Sequence, residues 1–129
     1  MEETVSLHER PVRVLLSARA ERALAGREAP LTVELELFFS CLLRERVRFP
    51  EAGESAGAGP DAARSADGRL LVRFRPVMSR HCGLEEGHQL EAFPIARPEP
   101  YVPRWVRVDH HPRHGWRGEF GYAHREPAA

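Results

Sequence analysis

Between Leu31 and Phe49 apolar and polar residues alternate almost without a break, and no Gly or Pro interrupts them. Odd positions carry Leu31, Val33, Leu35, Leu37, Phe39, Cys41, Leu43, Val47 and Phe49, with Glu45 the exception. Even positions carry Thr32, Glu34, Glu36, Ser40, Arg44, Arg46 and Arg48, with Phe38 and Leu42 the exceptions. Period two is the repeat of a strand with one face on a core. A helix would also gather Leu31, Leu35, Phe38, Phe39, Leu42 and Leu43 on one side. The glutamates decide against it: at about 100° per residue, Glu34 and Glu36 would sit about 200° apart and one would point inward. On a strand both point outward together. At about 3.3 Å per residue the run would span roughly 60 Å, far beyond an ordinary strand. A bend, a bulge or two strands meeting near Ser40–Leu43 is therefore expected, with a helix over 37–46 as the alternative.

The rest of the chain reads around this run. Residues 1–10 look like a flexible polar arm. Val12–Leu16 after Pro11 reads as a short strand, and Ser17 is placed to cap a short helix over Ala18–Ala25 that ends at Gly26. Residues 50–68, small, polar and rich in Gly and Ala, have too little apolar surface to offset the entropy of ordering, and a disordered loop is expected. Asp67-Gly68 turns the chain into a second alternating strand over Arg69–Met78. There Leu70, Val72, Phe74 and Met78 share one face, and Arg69, Arg73 and Arg75 share the other. Residues 79–103 have little periodicity and prolines at 94, 98, 100 and 103. A hairpin closes the chain, with arms Trp105–Asp109 and Trp116–Tyr122 and a turn over residues 110–115, where Gly115 can take a left-handed conformation.

The fold expected is mainly β, with α+β as the alternative: a single small domain over residues 11–123, followed by a flexible tail over 124–129. Its antiparallel sheet of five or six strands curls over one core and carries one short helix. Strands close in sequence usually pair, so a meander is the simplest topology.

Composition narrows the function classes. The 19 basic and 19 acidic residues balance, so no overall field draws in nucleic acid or an anionic membrane, and such a partner needs a local patch. All the basic residues are arginine. Lysine and asparagine are absent and Ile95 is the sole isoleucine, the pattern of a GC-rich bacterial genome. Only the placement of arginines, not their number, therefore argues for anion binding. No stretch of about 18 apolar residues is present to span a membrane, and the acidic start Met1-Glu2-Glu3-Thr4 lacks the order of a signal peptide. Two cysteines make no disulfide framework, which fits the reduced cytoplasm.

Two clusters carry candidate chemistry. If 43–49 and 69–77 pair as a hairpin, Arg44, Arg46 and Arg48 face Arg69, Arg73 and Arg75 on one surface. Like charges opposite each other destabilise a sheet unless an anion or counter-charge answers them. Glu34, Glu36 and Glu119 are candidates for that counter-charge. An acidic protein surface suits the planar donors of arginine. RNA or phosphate is the weaker alternative, because base stacking needs exposed aromatics and Phe38 is the one candidate on the polar side of these strands. The second cluster is His81, Cys82 and His88, which with a histidine from the 110–114 turn could hold zinc or copper, although no paired metal-binding motif is present. Cys82 lacks a positioned base, Cys41 falls on the apolar face, and serine-hydrolase, Walker and Rossmann motifs are absent. Tyr101 is expected to cover a sheet edge, with Trp105 or Trp116 as a minority interface anchor. The reading that results is a small non-enzymatic accessory protein. It is an assembly or regulatory factor that docks on a larger bacterial complex through Arg44, Arg46, Arg48, Arg73 and Arg75, with no cofactor. Metal binding or metallocentre maturation is the first alternative.

Overall fold

The computed structural model describes residues 1–39, 43–51, 60–78, 91–92 and 95–123. Within them the chain forms β1 (Glu2–Leu7), β2 (Arg10–Leu16), α1 (Ala18–Ala25), β3 (Leu31–Phe39), β4 (Arg44–Arg48), β5 (Ala62–Arg64), β6 (Leu70–Met78) and β7 (Glu91–Ala92). A 3-10 turn (Glu99–Tyr101), β8 (Trp105–His111) and β9 (Gly115–Gly121) complete it. The protein is mainly β, a small single domain, with one α-helix among the described residues.

The strands divide into two sheets. One has the order β1-β2-β8-β9, the other β4-β3-β6-β5 with β7 on the end of β6. Alternation puts Val12, Val14, Leu16, Val106, Val108 and Phe120 of the first sheet against Leu31, Val33, Leu35, Leu37, Leu70, Val72 and Phe74 of the second. The sheets meet at their edges, with β4 alongside β9 and β1 alongside β5. Gly118 makes the first approach possible, because a Cβ there would stand 2.8 Å from Val47 Cγ1.

Both sheets are mixed rather than an antiparallel meander. β2 runs parallel to β8, pairing Arg13 with Trp105, and β3 runs parallel to β6 from Leu31↔Leu70 to Phe39↔Met78. The long alternating run is two strands, with Phe38 facing Arg44 in the β3–β4 pair. The expected hairpin between 43–49 and 69–77 does not form: β3 lies between β4 and β6.

Residues expected as a loose arm form β1, whose Val5 and Leu7 enter the core. Its hairpin with β2 turns through His8 and Glu9 at φ 49° and 65°. This is a primed two-residue turn, usually built from Asn-Gly, and each L residue held there costs about 1–2 kcal/mol. The fully buried Leu7 and Val12, and the His8 N–H donated to Pro60 O at 2.6 Å, hold it. Residues 60–68 of the expected disordered loop are ordered, and residues 52–59 lie outside the described residues. β5 pairs with β6, and the Asp67-Gly68 turn is fixed by Leu70 N–H donating to Ser65 Oγ at 3.0 Å and Ser65 Oγ–H donating to Asp67 at 2.7 Å.

The helix sits where its cap predicts. Ser17 Oγ accepts from Ala20 N–H at 3.0 Å and donates to Asp109 Oδ1 at 2.6 Å, so one hydroxyl caps α1 and ties it to β8. Asp109 also accepts from His110 N–H at 2.8 Å and from Arg19 at 2.5 Å. The Ser17 hydroxyl foremost, with Arg19 and the His110 amide, lowers the Asp109 carboxyl to about 2. Ala20 and Leu24 are buried beneath the helix. Gly115 at φ 76° closes the β8–β9 turn as expected.

Two outcomes follow. Leu7→Ala lowers the unfolding free energy by about 2–5 kcal/mol in urea titration, the cost of a buried leucine and not of an arm residue. Asp109 is acidified by folding from an ordinary 3.8, so its contribution is complete above that pH and is lost as pH falls toward 2. Asp109→Asn therefore weakens the protein at neutral pH and flattens its loss of stability between about pH 4 and pH 2, read by thermal melts across that range.

Candidate functional site

The second sheet turns its other face outward, and there the alternation places charge. β3 contributes Glu34, Glu36 and Phe38. The register sets Glu34 between Arg48 and Arg73, and Glu36 between Arg46 and Arg75. Both carboxylates point away from the core, as the strand period requires, yet they are buried, at 1% and 0% exposure. The arginines cover them. Arg46 donates from Nε at 3.0 Å and Nη2 at 2.6 Å to Glu36 Oε1. Arg75 Nη1 bridges the two carboxylates, at 3.3 Å from Glu34 and 3.5 Å from Glu36. Arg48 and Arg73 each approach Glu34 at 3.7 Å, and Arg73 also faces Asp61 at 3.8 Å.

This arrangement answers the repulsion that a bare arginine face would suffer. A buried carboxylate is costly unless paired and hydrogen-bonded, and here each is ion-paired with guanidiniums from strands on both sides and accepts a hydrogen bond from Arg75. The arginine side chains remain partly in solvent, 47% for Arg46 and 25% for Arg73. Among the described residues this face also carries Arg44 and Arg64.

The candidate residues Arg44, Arg46, Arg48, Arg73 and Arg75 therefore share one surface, although through β3 and not through a direct hairpin. Arg69 precedes β6, and Glu119 pairs with Arg107 on the other sheet. Phe38 is no stacking platform, being buried with the Arg46 guanidinium 5.0 Å above its ring. Glu34 and Glu36 supply the counter-charge that the sequence suggests, Glu119 does not, and what alternation alone does not show is that the two carboxylates are buried. The available signal was the shared spacing of Glu34-x-Glu36, Arg46-x-Arg48 and Arg73-x-Arg75.

His81, Cys82 and His88 lie outside the described residues, as does Cys41. Their segment leaves β6 at Met78 and returns at Glu91, which pair with each other beside Phe39. The 110–114 turn is at the other end of the molecule, near α1. There His110 packs edge-on against Trp116 at 4.7 Å, and His111 stacks on His114 at 4.7 Å. Among the described residues no three His, Cys, Asp or Glu side chains cluster as metal ligands.

Tyr101 covers the opposite end, its ring against Phe39 at 5.5 Å and its carbonyl accepting the Tyr122 hydroxyl at 2.7 Å. Burial first, and the Glu45 carboxylate second, push the Tyr122 phenol up, which keeps it protonated as that donor. Trp105 lies across Gly121, with its buried indole N–H unpaired among the described residues. No helix of the described residues is long and apolar enough to cross a membrane.

The layer makes a sharp distinction between arginines. Arg46→Glu sets a third carboxylate against Glu36 and costs about 3 kcal/mol or more, whereas Arg44→Glu, opposite Phe38, stays within about 0.5 kcal/mol of the parent in chemical denaturation. Equal effects would show that the carboxylates do not depend on Arg46. Comparison with models of known families, with characterised proteins and with solved structures finds no match.

Proposed function

We propose that this is a binding protein of the bacterial cytoplasm, an assembly or regulatory factor that docks the arginine face of its second sheet on an acidic surface of a larger protein complex. The observation that carries the reading is the arginine layer itself, partly in solvent and anchored from below by Glu34 and Glu36. Anchoring reduces the rotamer entropy that a long side chain loses on binding, so the guanidiniums are arranged before a partner arrives. The planar guanidinium of arginine suits carboxylate partners. The balanced net charge favours a local, complementary contact over attraction to a polyanion.

A photo-crosslinker installed at position 44 or 64 tests this in cells, with position 113 in the β8–β9 turn as the control. A partner should be captured from the first two sites and not from the third. Once purified, it should bind Arg44→Glu at least about tenfold more weakly than the parent, with the fold unchanged. Equal capture from position 113, or unaltered affinity of Arg44→Glu, would overturn the assignment.

A further inference from the structure

Where β4 runs alongside β9, a shallow groove of about 520 Å³ opens between Arg46, Val47, Arg48, Phe49 and Trp116. Its two kinds of lining come from one strand by alternation. Arg46 and Arg48 point to the outer face of the sheet, and Val47 and Phe49 point to the core side, where they pack against the buried cluster. The aromatic wall is braced: Phe49 and Trp116 lie 6.1 Å apart at 32°, and His110 abuts Trp116 at 4.7 Å. The arginine rim is braced as well, by Glu36 beneath Arg46 and Glu34 beneath Arg48.

We infer that this groove is a recognition site for an acidic peptide segment of a protein partner, one whose carboxylates meet Arg46 and Arg48 while a neighbouring large apolar side chain enters against Phe49 and Trp116. The inference rests on the docking face proposed above and gives its partner a chemistry. Charge complementarity and aromatic anchoring in one concavity are what an interface hot spot combines. A nucleic acid fits less well. Its bases need open ring faces, whereas Phe49 and Trp116 are half-buried against the core.

The test uses the full chain, isotopically labelled, and four probes. The first is a peptide of about ten residues, rich in glutamate with one central phenylalanine. The second has glutamine for glutamate, the third has serine for the phenylalanine, and the fourth is oligouridylate of similar length. The first peptide should shift the Trp116 indole signal and the amides of residues 46–49 in NMR spectra. The second and third should each bind at least about tenfold more weakly. Arg48→Gln should weaken the first peptide while Arg44→Gln leaves it unchanged. Equal binding of the glutamine peptide, or silence at residues 46–49 and 116, would overturn the inference, as would tighter binding of oligouridylate at the groove. If the groove is silent while the amides of Arg44 and Arg64 move, the acidic docking face survives without it. If neither moves, the groove is excluded and the partner captured from position 44 decides the face on its own.

Discussion

Two buried carboxylates on the central strand govern this structure. Removing a carboxylate from water costs several kcal/mol, and the cost is recovered only where guanidinium donors satisfy it from close range. Glu34 and Glu36 meet that condition because β4 and β6 flank β3 and both carry arginine at the matching register. Slipping either neighbour by one residue would turn its arginines to the core and put apolar side chains over the charges. The ion layer therefore specifies strand order and register, while Leu31, Val33, Leu35 and Leu37 on the opposite face supply the apolar burial. β3 is closed on both faces, by oil on one and by salt on the other.

The same layer separates genome composition from local selection. A GC-rich genome accounts for arginine in place of lysine across a chain, but not for the tasks met at Arg46. That side chain sets two donors on one carboxylate oxygen and holds its guanidinium carbon over the ring of Phe38. A lysine ammonium is a point charge without a plane, and it would satisfy one of those contacts at the expense of the other. The positions where arginine is geometrically required are those that touch Glu34 and Glu36.

What could be read in the sequence was local. Period two located β3, β4 and β6, Ser17 marked the start of α1, and Asp67-Gly68 and Gly115 marked turns, because each signal depends on a few neighbouring residues. β1 escaped because its turn is His8-Glu9, which carries none of the Asn or Gly that ordinarily marks a left-handed pair. The mixed topology escaped because Arg13 pairs with Trp105 and Leu31 with Leu70, contacts between distant segments that period two does not encode. The outward direction of Glu34 and Glu36 was legible. Their burial was not, because it depends on long side chains brought from two other strands. The groove was hidden for the same reason: Phe49 and Trp116 are neighbours only after β4 and β9 come together.

The pairing of β2 with β8 has a consequence for how the chain is made. Val14 and Leu15 have a paired neighbour on one side from β1, but on the other only once residues 105–108 exist. On a ribosome the β1–β2 hairpin and α1 emerge before β8, with an open strand edge and an apolar face that wait for residues 105–108. Long-range pairing of this kind slows folding and prolongs the exposure of sticky edges. Until β8 and β9 arrive to complete the sheet, the edge of β2 is thus open to edge-to-edge association.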